Sequence, residues 1–413
     1  VFVRTDLFDD FCVYQSTLPM PDYQAGEPPF DDPPSGAWVF DGGAPVYQRA
    51  EQARIVITLP RAPLPADGYP VVVFVRTGGG GDRPQVDRGQ HDADGNTLEP
   101  GEGPARYFAR AGYAAIEVDG PHGGLRNVTG GDEQFLIFNV QNLYALRDNV
   151  RESAMELALM AEVAGTLGVD ASDCPPAGTG DPGPAAVVFD GNHTALMGHS
   201  MGATIGPLAV AVQPGFGALI LDGAGGSWIE NIMYKQKPIA LHGLFERLLG
   251  HPIGGLRGDD PVLTLAQWAL ESADPPAYAR TLLGQPAASG DPRRILMHQG
   301  IVDDYILPRI ANATSLSLQL DLAGEELDTI DDPRLADQLP LGPLLPLSGR
   351  SAVALPAAGN LVIQHLEDGV EDGHEVTFQT DDPKHQYQCW LASWLSDGTP
   401  TAPAGADRDA PCP

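Results

Sequence analysis

The stretch Thr194-Ala195-Leu196-Met197-Gly198-His199-Ser200-Met201-Gly202-Ala203 decides how the rest of this chain reads. A short apolar run enters Gly-X-Ser-X-Gly and small apolar residues leave it, which predicts a strand, a sharp turn and a helix. In that order Ser200 sits in a strained backbone with its hydroxyl clear of the sheet. Gly198 and Gly202 are required because a Cβ at either position would strike a neighbouring element. The helix after Ser200 aims its first amides, with their partial positive charge, at the place where an oxyanion would form. The competing reading is a Gly/Ser turn that matches a five-residue pattern by chance. The strand pattern before it and the helix pattern after it weigh against that.

A serine made nucleophilic this way needs a base and a group to orient the base, and the C-terminal half offers both. Arg294 to His298 reads as a buried strand that runs into Gly300-Ile301-Val302-Asp303-Asp304. This places a carboxylate on a loop at the strand's carboxyl end, and Asp303 is the expected acid, with Asp304 its competitor. Asn360 to His365 is the last strand, and two histidines follow it. His385 falls on the face of the C-terminal helix opposite the buried stripe of Tyr387, Trp390, Leu391, Trp394 and Leu395, so it reads as solvated. His374 lies on the loop leaving the last strand and is the expected base.

On the N-terminal side, Ala53 to Leu59 alternates like an early strand, and Val71 to Val75 is a continuous β-branched run, as in a strand covered on both faces. The Gly78-Gly79-Gly80-Gly81 loop that follows lacks the Lys-Ser/Thr of a phosphate-binding loop. It reads instead as the second wall of an oxyanion hole, Gly79 N–H acting beside Met201 N–H. Asp92, Asp94 and Asn96 could offer three oxygens to Ca²⁺, but the glycine comes one position early and no closing glutamate follows; an Asx-type turn is the alternative. Tyr113 to Val118 is a strand ending in Asp119-Gly120-Pro121-His122, and His122 either lines the pocket or is hydrogen-bonded within a tight loop. Asn142 to Gly165 is the clearest helix, apolar along Leu143, Leu146, Val150, Leu157 and Ala161, with Arg147, Asp148, Arg151, Glu152 and Glu156 on the other side.

The domain organisation follows. Residues 1–52 read as an irregular lead-in, 53–396 as one catalytic-sized domain, and 397–413 as a Pro-rich tail. Within the domain, 227–294 is far longer than a strand-to-strand crossover needs and reads as a helical cap, with helices near Ile229 to Leu249 and Pro261 to Ala273 and with Trp228 and Trp268 among its apolar members. Residues 321–359 form a second insertion. His199, His122 and Trp228 are the candidates for lining a substrate pocket.

Composition bounds the function. With 55 acidic and 24 basic residues, the formal charge of −31 argues against nucleic acid or an anionic membrane as the main partner. No run is long and apolar enough to span a membrane, and no signal peptide is visible; the chain opens on Val1, as a mature or trimmed form would. Cys12, Cys174, Cys389 and Cys412 are even in number and lack zinc-site spacing, so two disulfides in an oxidising compartment are expected. Cys389 points away from the buried stripe of its helix, which makes a bond to Cys412 on the tail the first expectation; four separate buried thiols are the alternative.

The order Ser200, Asp303, His374, the elbow Gly198-His199-Ser200-Met201-Gly202 and the Gly-rich loop after Val75 resemble the α/β-hydrolase superfamily over about Ala53 to Leu395. The resemblance implies an α/β-hydrolase fold, a mostly parallel central sheet with helices on both faces and a helical cap. It also implies acyl transfer through a Ser200-His374-Asp303 triad without a cofactor. Phe138 to Leu143 followed by Leu146-Arg147-Asp148-Asn149 resembles a segment of large bacterial extracellular lipases and lysophospholipases. That implies an exported, bacterial protein acting on carboxylic esters of small molecules, lipids or polymers. The chain departs from the pattern with Thr77-Gly78 where many members carry His-Gly. An amidase or peptidase with the same triad, or a surface-binding protein on a hydrolase scaffold, are the other readings.

Overall fold

Strand Tyr69–Val75 is buried along its whole length, which is what a run of valines flanked by strands on both sides must achieve. The computed structural model describes residues 1–76, 81–285 and 290–413, so the expected Gly79 donor lies outside the described residues. The chain divides into two compact units: Val1–Gln90 with Thr97–Leu219, and His91–Asn96 with Ile220–Pro413.

In the first unit, six strands follow one another across a sheet: β1 (Val3–Leu7), β2 (Phe11–Asp22), β3 (Arg49–Pro60), then Ala114–Val118, Tyr69–Val75 and Phe189–His199. Numbered along the chain these last three are β5, β4 and β6. The pairs β1–β2, β2–β3 and β3–β5 are antiparallel, whereas β5–β4 and β4–β6 are parallel. Residues 1–52 are therefore not an irregular lead-in. Phe11 to Asp22 pairs residue for residue with Arg49 to Pro60, and Pro19 and Pro21 sit in the half of β2 that is less buried.

Helix α1 (Leu143–Ala164) is capped by Asn142, whose side chain accepts the N–H groups of Tyr144 and Ala145. Of its apolar stripe Leu146, Val150 and Leu157 are buried but Leu143 is 40% exposed, whereas much of the polar side is covered: Asp148, Asn149, Glu152 and Glu156 are all buried. The cover is the segment after β2. Trp38 donates its backbone N–H to Asp148 and its indole N–H to Glu152, Tyr23 N–H donates to Glu152, and Arg126 binds Glu156 through two hydrogen bonds of 2.7 and 2.8 Å. Periodicity reports two faces of a helix; it does not report what will lie on the second. A disulfide joins Cys12 to Cys174.

The chain leaves the first unit within β7 (Phe216–Asp222). In the second unit, β8 (Arg294–Ile301) pairs in parallel with β10 (Leu361–Leu366), which pairs in parallel with β9 (Asp321–Ala323). The long insertion is helical, as expected, but the first of its helices is broken: α3 (Trp228–Tyr234) and α4 (Leu241–Leu249) are separated by a segment containing Pro238, which cannot continue a helix. Helix α5 (Pro261–Leu270) follows, with Trp268 74% exposed rather than in a core. Helix α2 (Met201–Val212) belongs to the first unit. In the second insertion Leu341 and Leu345 are buried and Leu347 is exposed.

The C-terminal helix α6 (Asp381–Asp397) buries Tyr387, Trp390, Leu391 and Trp394. The tail folds back over its other side: Thr401–Ala402 pairs with Ala357–Ala358, and Cys412 bonds to Cys389. His385 is consequently 3% exposed, within 3.5 Å of the Pro411 carbonyl, and is not solvated. Among the described residues no helix is long and apolar enough to cross a membrane.

Candidate active site

Strand β6 delivers Ser200 to a turn with φ 53° and ψ −114°, immediately before α2. A residue with a Cβ at positive φ stores on the order of 1–3 kcal/mol of strain, so the surrounding structure must hold it there. The glycines explain how. A Cβ on Gly198 would lie 2.3 Å from the Gly202 carbonyl oxygen, and one on Gly202 would press on Val75 at 3.0 Å. Helix α2 runs for twelve residues from Met201, so its N-terminal amides and dipole are directed at the turn. Ser200 itself is partly exposed.

In the second unit, Asp303 and His374 come together. His374 Nδ1 lies 2.8 Å from Asp303 Oδ2, and both residues are almost fully buried. The other carboxylate oxygen of Asp303 accepts the N–H groups of Tyr305 and Ile306, each at 2.7 Å, so the acid is held from two directions. Burial pushes the Asp303 carboxyl up, but the His374 charge and these hydrogen bonds outweigh it and hold it below its ordinary value. Burial disfavours the His374 imidazolium, yet Asp303 more than offsets this, and the imidazole is raised above its ordinary value. Asp304, the competitor, instead pairs with Lys237 at 2.9 Å and Arg334 at 3.7 Å.

His374 sits on a short turn, Gly373–Glu375, capped by Asp372, whose carboxylate accepts the His374 N–H at 2.8 Å. Gly373 N–H donates to the Val302 carbonyl at 3.0 Å, which brings the histidine turn against the end of β8. Two further groups beside the pair escaped the sequence reading. The Tyr305 ring stacks on the imidazole, centroids 4.5 Å apart and planes 21° from parallel. Asp222, at the end of β7, is fully buried, and burial raises its carboxyl to about 8, so it is largely protonated at neutral pH. Tyr305 follows Asp303-Asp304 directly in the sequence, and an aromatic residue next to a candidate acid is a signal that sequence reading can use.

The other candidates each have their own partners. His199 is fully buried and its Nδ1 lies 3.1 Å from the Arg88 guanidinium, which donates, leaving the imidazole proton on Nε2. His122, at φ 59°, is buried in its loop with Nε2 3.3 Å from Asn149 and the Phe30 ring edge-on. Burial lowers it to about 4, so it is neutral. Trp228 begins α3 and donates its indole N–H to the Leu270 carbonyl at 3.2 Å. Asp92 turns its carboxylate onto its own loop, accepting the Asp94 and Asn96 N–H groups at 2.9 Å each and the Asn96 amide.

No family model matches the chain, and no curated protein matches it. Solved structures do. An acetyl xylan esterase from Thermoanaerobacterium is 9% identical with a TM-score of 0.43, over 89% of this chain and 82% of that one. A glucuronoyl esterase from Teredinibacter turnerae is 13% identical with a TM-score of 0.43, over 96% and 77%. A puromycin-hydrolyzing peptidase from Mycobacterium tuberculosis is 14% identical with a TM-score of 0.42, over 91% and 40%. The chain spans between 31% and 40% of the length of the peptidases it resembles. In this chain, parallel strands are joined to a positive-φ serine between β6 and α2 and to an aspartate–histidine pair after β8 and β10.

Proposed function

We propose that the chain is a serine hydrolase that cleaves carboxylic esters through an acyl-enzyme on Ser200, with His374 as base and Asp303 as the acid that orients it. The observation that carries this reading is the buried contact between His374 Nδ1 and Asp303. With the Nδ1 proton committed to a carboxylate, the lone pair that can take up a proton is the one on Nε2. Ser200 Oγ gives its proton to His374 as it attacks the ester carbonyl carbon. The tetrahedral oxyanion is received by Met201 N–H, with Gly79 N–H as second donor, each worth on the order of a few kcal/mol. The C–O bond to the alcohol breaks and the leaving oxygen takes the proton back from His374. Water then adds to the acyl-enzyme with the same base, and the acid leaves as Ser200 regains its proton.

The substrate is a small-molecule or polymeric ester, and the two disulfides suit an exported protein working in an oxidising compartment. The test is labelling of the folded protein with a fluorophosphonate, read by intact mass and peptide mapping. One adduct on Ser200 is expected, absent in Ser200→Ala. Folded wild-type protein that takes no label would remove the hydrolase reading. Matched ester and anilide substrates then separate an esterase from an amidase: faster ester turnover supports the proposal, and anilide turnover at equal rate replaces it with the amidase.

A further inference from the structure

The chain carries three lysines, Lys235, Lys237 and Lys384, among 24 basic residues. Two of the three converge on the loops that hold Asp303 and His374. Lys237 Nζ lies 2.9 Å from Asp304 Oδ2 and 2.9 Å from Asp372 Oδ2, and the Lys237 backbone N–H donates to the Asp304 carbonyl at 3.2 Å. Asp304 is the residue after the acid. Asp372 is the cap whose other oxygen accepts the N–H of His374. Lys235 donates from Nζ to the Tyr305 carbonyl at 3.0 Å, and both ammonium groups lie within 6 Å of the Tyr305 ring, 5.9 Å for Lys235 and 5.8 Å for Lys237. The same ring is stacked on His374.

We propose that Lys237 is a positioning residue for the hydrolytic reaction: carried by the helical insertion, it ties the acid's loop to the base's loop and holds Tyr305 against the imidazole of His374. The inference rests on the assignment of His374 as base. Lysine suits the task because one ammonium offers three donors that can point in different directions, whereas the planar guanidinium favours a two-pronged grip on one carboxylate. Lys237 is nearly half exposed, so solvent screens these pairs and their contribution to overall stability is small. Their contribution to geometry is not, since a displacement of about 1 Å at a reacting group costs roughly 100-fold in rate.

Charge gives a second readout. The titratable and charged groups around His374 are Asp222, Lys235, Asp303, Tyr305, Asp372 and Glu375. Asp372 is the one among them that Lys237 neutralises directly. Without the ammonium, its carboxylate favours the imidazolium, and activity that requires neutral His374 is then lost at a higher pH.

Steady-state kinetics of full-length Lys237→Met, Lys237→Arg and Tyr305→Leu on an ester that wild-type protein cleaves test this. Lys237→Met is expected to lose about 10-fold or more in kcat with KM within about 2-fold. The acidic limb of its kcat/KM profile should move to higher pH, with Tm little changed; Lys237→Arg recovers part of kcat. Tyr305→Leu, which leaves both ion pairs in place, lowers kcat with no move of the limb. Lys237→Met with wild-type kcat and limb, or with activity lost only in step with Tm, overturns the inference while the hydrolase stands. Wild-type protein that neither labels nor turns over removes both.

Discussion

Gly300 and Gly373 approach so closely that a Cβ on Gly300 would lie 1.7 Å from the Gly373 carbonyl oxygen. A Cβ on Gly373 would in turn lie 2.7 Å from the Val302 carbonyl carbon. Asp303 and His374 meet because the end of β8 and the turn bearing the histidine have no side chains where they touch.

Gly300→Ala is therefore expected to destabilise by about 3 kcal/mol, at the upper end of overpacking costs, because the clash is with backbone that no rotamer change relieves. Activity should fall with it. Gly168→Ala, where a Cβ meets nothing within 4 Å, should stay within about 0.5 kcal/mol of wild type. Thermal melts of the two variants side by side, with a similar loss in both, would contradict the geometry.

The pH profile of kcat/KM should show an acidic limb above the ordinary histidine value, since Asp303 raises His374. Asp303→Asn removes that support, and activity should fall on the order of 10³- to 10⁴-fold, because the amide neither stabilises the imidazolium nor favours the required tautomer. Unchanged turnover in Asp303→Asn would assign the acid elsewhere.

Two histidines near the C-terminus should behave oppositely. His374→Ala abolishes turnover, while His385→Ala keeps it but lowers Tm, because His385 is buried beneath the tail against Pro411 and Cys389. Activity assays and melts of both variants check this; the reverse pattern would exchange their roles.

Glu117 sits fully buried on β5 with burial raising its carboxyl to about 8. Its folded value lies above its unfolded one, so between pH 5 and 8 the unfolded chain has released a proton that the folded chain keeps. Stability must then fall as pH rises through that window. Glu117→Gln, which can still accept the Gln85 N–H now held at 3.0 Å, should gain about 1–3 kcal/mol at pH 8 and little at pH 5. Melts at both pH values decide it, and equal gains would show that ionisation is not the cause.

The two disulfides close chain segments of very different length, 162 and 23 residues. Loop entropy assigns about 5 kcal/mol to Cys12–Cys174 and about 3 kcal/mol to Cys389–Cys412. The double variant Cys12→Ala/Cys174→Ala should therefore melt lower than Cys389→Ala/Cys412→Ala; the opposite order would place the cost in the native state rather than in the unfolded chain.

Much of the candidate site was legible because its chemistry demands unusual residues at unusual places. Gly198 and Gly202 mark close backbone approaches, and Asp303 and His374 follow strands whose apolar runs announce themselves, whereas the approach of Gly300 to Gly373 came only with the structure. The pairing of Cys389 with Cys412 followed from the direction in which a helix turns its side chains. What misled was polarity. Residues 1–52 read as irregular yet hold a twelve-residue strand, and the charged side of Leu143–Ala164 gave no sign that Trp38, Tyr23 and Arg126 would cover it.

By itself, the order of residues determined that this chain makes parallel strands joined by helices, with a strained serine at one turn and an acid and a histidine after later strands. Those are local properties, set by hydrophobic period, by backbone freedom at glycine and by where strands end. Only the tertiary structure decided which charged groups would be buried and by what: that Lys237 faces Asp304 and Asp372, that Tyr305 lies on His374, and that the tail covers His385. A charge carries no sign in the sequence of whether it will be solvated or paired. Its partner stands tens or hundreds of residues away, and only folding brings the two within the few ångströms over which they interact.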